Sequence, residues 1–182
     1  MAPKMARAAT RGNAKKRLVT RKSSFAPVID AGTRLLVCGS LPGDASLAAG
    51  RYYAHPQNQF WRLMAPVAGI DLPVLDYDAR LAALLGAGVG LWDVVASARR
   101  DGSSDAAIRE IAGNDLIGLA ESLPQLRAIA FNGGTALAHG RRLLGPVIDR
   151  WRIIALPSSS PLHTIGLAAK QPAWLALRDQ LV

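Results

Sequence analysis

Between Gly39 and Trp61 the chain reads GSLPGDASLAAGRYYAHPQNQFW. A turn rich in Gly, Pro and Ser is followed closely by two tyrosines, a histidine, an asparagine, a phenylalanine and a tryptophan. Flat rings beside short hydrogen-bonding groups suit a pocket for a planar ring. Backbone amides of the Gly-rich turn can hold a carbonyl or an anion. The concentration is unusual in a chain that is only 5% aromatic. Further short polar groups stand at Asp93, at Asn132 and in PSSSPLH, which supplies Ser158, Ser159, Ser160 and His163.

Many familiar chemistries have no signature here. The chain lacks a Walker phosphate loop, a GxSxG elbow, an HExxH pair and a Cys/His cluster. His55, His139 and His163 are far apart, and no spacing adds the carboxylates a metal site would need. No metal and no cofactor are expected. GSLPG is too short for a dinucleotide fingerprint. Cys38 is the only cysteine, so an internal disulfide is excluded, and its place in an apolar run reads as a small buried hydrophobe.

These residues need a frame. Apolar runs at 34–38, 88–95, 127–131 and 152–156 read as four strands. Helical spacing is expected at 60–67, 78–85, 105–112, 115–123, from 134 to 144, and at 170–181. Strands alternating with helices predict an α/β fold with a mostly parallel sheet. Each strand ends in a polar or Gly/Pro-rich loop. In open parallel sheets the ligand crevice lies at the carboxyl ends of the strands, so the loops after the first, second and fourth strands should converge.

The chain has 182 residues, half of them apolar, which fits one domain with a full core. No apolar run is long enough to span a bilayer. The formal charge is +9, but residues 1–22 hold eight Lys/Arg and no acid, while the remaining 14 basic residues face 13 acidic ones. Residues 1–24 are therefore expected to be a flexible basic tail and 25–182 the folded domain. Such a tail attracts nucleic acid through its phosphates. A solvated extension, a misassigned start and an organelle transit peptide are the other readings.

GSLPG followed by YYAHPQNQFW resembles the hypoxanthine-DNA glycosylase branch of the uracil-DNA glycosylase superfamily. LPSSSPLH at 156–163 and FNGG at 131–134 resemble the superfamily's later motifs, in the same order. The resemblance covers about residues 25–182. It implies a three-layer α/β/α sandwich around a four-stranded, mostly parallel sheet. It also implies base-excision repair: a damaged nucleotide is flipped from the duplex and its N-glycosidic bond is hydrolysed. The implied partner is DNA containing deaminated bases. The implied protein is a monomer in the cytoplasm, associated with the nucleoid through DNA.

One departure matters. Leu41 stands where many superfamily members carry the Asn or Asp that positions the attacking water. The hypoxanthine branch shares this feature and relies on the Asn of HPxNxFW, here Asn58. An amide can orient water through its carbonyl oxygen and stabilise charge. The other reading of Asn58 is a helix cap before Gln59. The resemblance makes Ser158 a water- or sugar-contacting group beside Asn58. Gly39, Ser40, Leu41, Tyr53, Phe60 and Asp93 are the expected base-binding set, with Tyr53 stacking on the base. Asp93 either accepts from the base's N1–H or serves the fold by capping its turn or pairing with Arg99 or Arg100. Gly43, Ser159, Ser160, Leu162 and His163 are the expected DNA contacts, with Leu162 as a wedge in the vacated stack. Asn132 is expected to organise its own turn. Tyr52 and Trp61 are expected in the core.

The function expected is removal of hypoxanthine from deoxyinosine. The alternatives are a uracil or thymine-mismatch glycosylase and a damage-binding protein without cleavage activity. A small-molecule hydrolase lacks any nucleophile–base pair.

Overall fold

The computed structural model describes residues 20–182. The basic segment 1–19 lies outside the described residues. Strand β2 (Leu35–Gly39) is wholly buried, and its side chains alternate between two cores. Leu35 and Val37 join one cluster, Leu36 and Cys38 the other. Burial on both faces explains the unbroken apolar run and requires a covered parallel strand.

β2 pairs in parallel with β3 (Val89–Asp93) and with β6 (Ala128–Asn132), and β6 pairs in parallel with β7 (Arg152–Leu156). The order β3-β2-β6-β7 puts β2 and β6 at the centre. Helices α2 (Phe60–Ala68) and α6 (Leu167–Leu175), with α3 (Tyr77–Gly86), supply one face through Phe60, Leu63, Met64, Leu84 and Trp174. Helices α4 (Leu116–Ser122) and α5 (Gly134–Leu144) supply the other through Leu116, Ala120, Ala136 and Leu144. The expected α/β/α sandwich with a four-stranded parallel sheet is present. A short helix, α1 (Asp44–Ala49), follows the first motif.

A second sheet was not expected. β1 (Arg21–Ser23), β4 (Val95–Arg99) and β5 (Arg109–Gly113) form an antiparallel ribbon in the order β1-β4-β5. The apolar run read as one strand over 88–95 leaves the main sheet at Val94 and continues as β4. The helix expected at 105–112 is instead a single 3-10 turn, Asp105–Ala107, and strand β5. Arg109, Glu110 and Ala112 favour helix, but pairing with β4 overrides a weak local preference. Arg21–Ser23, read as part of a flexible tail, are held by backbone pairing to Arg99, Ala98 and Ser97. The last helix is also shorter than expected, ending at Leu175 before a 3-10 turn, Ala176–Gln180.

Candidate active site

The carboxyl ends of all four parallel strands open on one cavity of about 410 Å³. Asn132, at the end of β6, and Gly133 after it also contribute to its wall.

Asp93 ends β3 directly beside Gly39 at the end of β2. A Cβ on Gly39 would lie 2.6 Å from Asp93 Oδ1, so only glycine leaves room for that carboxylate. Ser24 Oγ donates to Asp93 Oδ2 at 3.1 Å. Asp93 is 3% exposed, and burial pushes its carboxyl up to about 7, opposed by the Ser24 hydrogen bond. It forms no ion pair with Arg99 or Arg100; those pair with Glu110 and Asp105. A carboxylate that changes charge near neutrality on a cavity wall is a candidate functional group.

Tyr53 also lines the cavity. Its backbone lies in the left-handed region, with φ at 53°, a conformation costing a bulky residue about 1–3 kcal/mol. The reward is its ring position, stacked on Phe60 with centroids 3.8 Å apart and planes 9° from parallel. Its buried hydroxyl makes no hydrogen bond of ordinary geometry among the described residues, with Asp93 and Asn132 as polar neighbours. Phe60, expected to contact the base, is fully buried and off the cavity wall. The first turn of α2 points it inward, edge-on to Trp174. It backs the ring that faces the cavity. Trp61 and Tyr52 are buried in the same core, as expected.

Asn58 lines the cavity and also serves the backbone. Its Oδ1 accepts from Phe60 N–H at 3.0 Å, an Asx turn that starts α2. The N-cap itself is Gln59, so Asn58 is not the cap but braces the turn that leads into the helix while lining the cavity. The bond fixes the amide's orientation and leaves Nδ2 as the group free to donate.

The first motif is gripped from behind. Arg100, on the β4–β5 arm, is 1% exposed. Its guanidinium donates to Leu41 O at 3.1 Å, to Pro42 O and to Gly102 O. Leu41 packs its side chain into the second core cluster. Ser40 Oγ donates to the Asp105 carboxylate, 2.7 and 2.8 Å from its two oxygens. Gly43 lines the same cavity against Ser103.

The loop after β7 closes the opposite wall. Ser158 lies on Gly133, whose φ of 99° and close approach leave a Cβ there only 3.1 Å from the serine. Ser159, expected at a phosphate, is 1% exposed. Its N–H donates to Asn132 Oδ1 at 2.8 Å and its Oγ accepts from Asn132 Nδ2 at 2.9 Å. Its N–H and Oγ are thus engaged inside the protein, tying the loop after β7 to the end of β6 and leaving almost no surface for the expected phosphate contact. Ser160 Oγ accepts from Leu162 N–H at 3.2 Å, and Leu162 is 65% exposed beside the cavity. His163 sits next to it, its carbonyl accepting from the buried Lys170 ammonium at 2.7 Å.

The structure therefore brings Gly39, Ser40, Leu41, Gly43, Tyr53, Asn58, Asp93, Ser158, Ser159, Ser160, Leu162 and His163 to one cavity and leaves Phe60 behind it. Sequence reading missed Ser24, Arg100, Asp105 and the clamping role of Asn132. Of these only the charged loop at 99–105 was visible as unusual; the partnerships depend on contacts across 27 to 69 residues of chain.

A family model described as the uracil DNA glycosylase superfamily matches residues 26–178. A hypoxanthine DNA glycosylase of Methanosarcina acetivorans is 36% identical over 156 residues, covering 86% of this chain and 97% of that protein. Its namesake from Methanosarcina barkeri is 42% identical over 113 residues, covering 62% of this chain and 72% of that one. A solution NMR structure from Methanosarcina acetivorans, provisionally described as a uracil DNA glycosylase, superposes with a TM-score of 0.79 at 36% identity. That match covers 89% of this chain and 99% of the other. On its fold, its motifs and these matches, the chain belongs to the uracil DNA glycosylase superfamily.

Proposed function

We propose that this chain is a monofunctional DNA glycosylase of base-excision repair that removes hypoxanthine from deoxyinosine. The observation that carries the reading is one cavity uniting the Tyr53 ring, the Asp93 carboxylate and the exposed Leu162. The two Methanosarcina relatives, both named hypoxanthine DNA glycosylases, support the choice of base. The family match over 26–178 supports reading 25–182 as the glycosylase domain. We further read it as a monomer acting on nucleoid DNA in the cytoplasm. No helix among the described residues is long and apolar enough to cross a membrane.

In this reading the flipped base stacks on Tyr53, a contact of about 1–3 kcal/mol. Leu162 fills the gap left in the duplex. First-motif amides hold the base carbonyl, and ionised Asp93 accepts from N1–H. Ser160, His163 and Gly43 meet the flanking backbone, and Ser158 the sugar or its water. As the C1′–N9 bond breaks, the electron pair leaves with the purine and the sugar becomes oxocarbenium-like. Asn58 Nδ2 donates to the departing ring, where negative charge builds, and is held for this by its bond to Phe60 N–H.

The test uses labelled duplexes carrying deoxyinosine, deoxyuridine, a G·T mismatch or no lesion, with wild type and Asn58→Ala, followed by alkali. Strand cleavage at deoxyinosine that is lost in the variant is the expected result. Cleavage mainly at uracil or G·T makes the protein a uracil or mismatch enzyme. Binding with no cleavage anywhere makes it a damage-binding protein. Uracil also presents an N–H beside carbonyls, so Asp93 serves either base and only the assay separates them.

A further inference from the structure

We propose that Asp105 is the catalytic residue that takes the proton of the attacking water. The inference rests on the glycosylase reading above and adds a residue from outside its motifs. Hydrolysis needs an acceptor for that proton. Leu41 offers none, since its side chain is apolar and packed in the core and its carbonyl is bound by Arg100. Asn58 Oδ1 already accepts from Phe60 N–H. Asp93, beside Tyr53, is the group placed to read the base.

Asp105 reaches the cavity from the turn that follows the β4 arm. Its carboxylate is anchored twice, by Ser40 Oγ at 2.7 and 2.8 Å and by Arg100 at 3.8 Å. Its side chain is nonetheless 37% exposed, so one side stays open to water. A base must be both held and reachable, and Asp105 meets both conditions. His163, the competing candidate, has no side-chain anchor at Nδ1 among the described residues. Burial raises the Asp105 carboxyl's pKa, which increases its basicity when ionised, while Ser40 and Arg100 oppose that shift. The Asp105 charge also raises Asp93. Two carboxylates thus share one cavity, an arrangement familiar in glycosidic bond cleavage.

The step balances without a further reagent. Water oxygen forms a bond to C1′ as one O–H bond breaks, and that proton passes to Asp105. In the same transition state the C1′–N9 pair departs with hypoxanthine, which takes a proton from solvent, and Asp105 later returns its own. Ser40 and Arg100 position the carboxylate.

The experiment compares wild type with Asp105→Asn in single-turnover cleavage of a deoxyinosine duplex at saturating enzyme. Binding to a duplex carrying 2′-fluoro-2′-deoxyinosine is measured alongside. Asp105→Ser is run beside it, because a hydroxyl keeps a partner for Arg100. Loss of a general base should slow cleavage by at least about a hundredfold, with binding changed by less than about threefold, since the interaction exists only in the transition state. Sodium azide, a nucleophile that needs no base, should restore base release and leave an azide at C1′, detected by mass spectrometry. Cleavage by the variants within about threefold of wild type overturns the inference alone. So does a joint loss of binding and rate with no azide product, which makes Asp105 purely structural. A wild type that cleaves no substrate overturns the glycosylase reading and this inference with it.

Discussion

Asn132, at the end of β6, and Ser159, in the loop after β7, exchange two hydrogen bonds, at 2.9 and 2.8 Å. Ser159 O then accepts from Gln59 N at 3.0 Å, so the clamp extends to the residue next to Asn58. Asn132→Ala leaves a buried N–H and hydroxyl unpaired, at about 1–3 kcal/mol each. Urea denaturation should show a loss of about 2 kcal/mol or more, together with slower cleavage because both cavity walls loosen. Unchanged stability and rate would show that the clamp is dispensable.

In the proposed reading, Asp93 links function to pH with opposite signs for stability and activity. Burial raises its carboxyl to about 7 from an ordinary value near 4, so folding favours the neutral form. That stabilisation is full below the unfolded pKa and is lost as pH rises through about 7. The melting temperature should therefore fall between pH 5 and 8, and Asp93→Asn should remove the fall. Excision should rise over the same window, because only the carboxylate accepts from N1–H. An activity profile flat across this window, with a normal stability profile, would remove Asp93 from base reading.

In the proposed reading, Leu162 and Tyr53 hold the flipped state from two sides. Tyr53→Ala should weaken binding to a deoxyinosine duplex by the stacking contribution, about 1–3 kcal/mol, whereas Tyr53→Phe keeps the stack and most of the affinity. Leu162→Ala should lower affinity without lowering the melting temperature, since the side chain is 65% exposed. A gel-shift series reads all three, and a large loss of fold stability in Leu162→Ala would reassign that residue to packing.

Removal of residues 1–19 deletes six Lys/Arg and leaves β1 intact. Affinity for DNA should fall, and its dependence on log salt should flatten by up to about 0.9 for each phosphate the segment neutralises. Cleavage at saturating enzyme should persist. Identical salt slopes with and without the segment would show that it does not touch DNA.

The parallel frame was legible in the sequence because buried strands on both faces are continuous apolar runs, as at Leu35–Gly39 and Ala128–Asn132. The antiparallel ribbon was not. Its strand β5 is mostly exposed and carries helix-favouring residues, so its pairing partner sets its conformation. The same contrast runs through the cavity. Asn58, Asp93 and Tyr53 could be named from motif and strand-end position. Phe60 could not be told from a base contact, because one turn of helix decides whether a ring faces the cavity or Trp174.

The buried parallel strands, most of the helices and the motifs at the strand ends follow from the sequence alone. Apolar periodicity and turn chemistry act within a few residues, and both can be read along the chain. Which polar groups meet depends on tertiary packing. Ser24 reaches Asp93, Arg100 and Asp105 reach the first motif, and Ser159 turns to Asn132. Each of these is a hydrogen bond between groups remote in sequence, formed because burial leaves a polar atom no water and makes the nearest partner across the fold the favoured one.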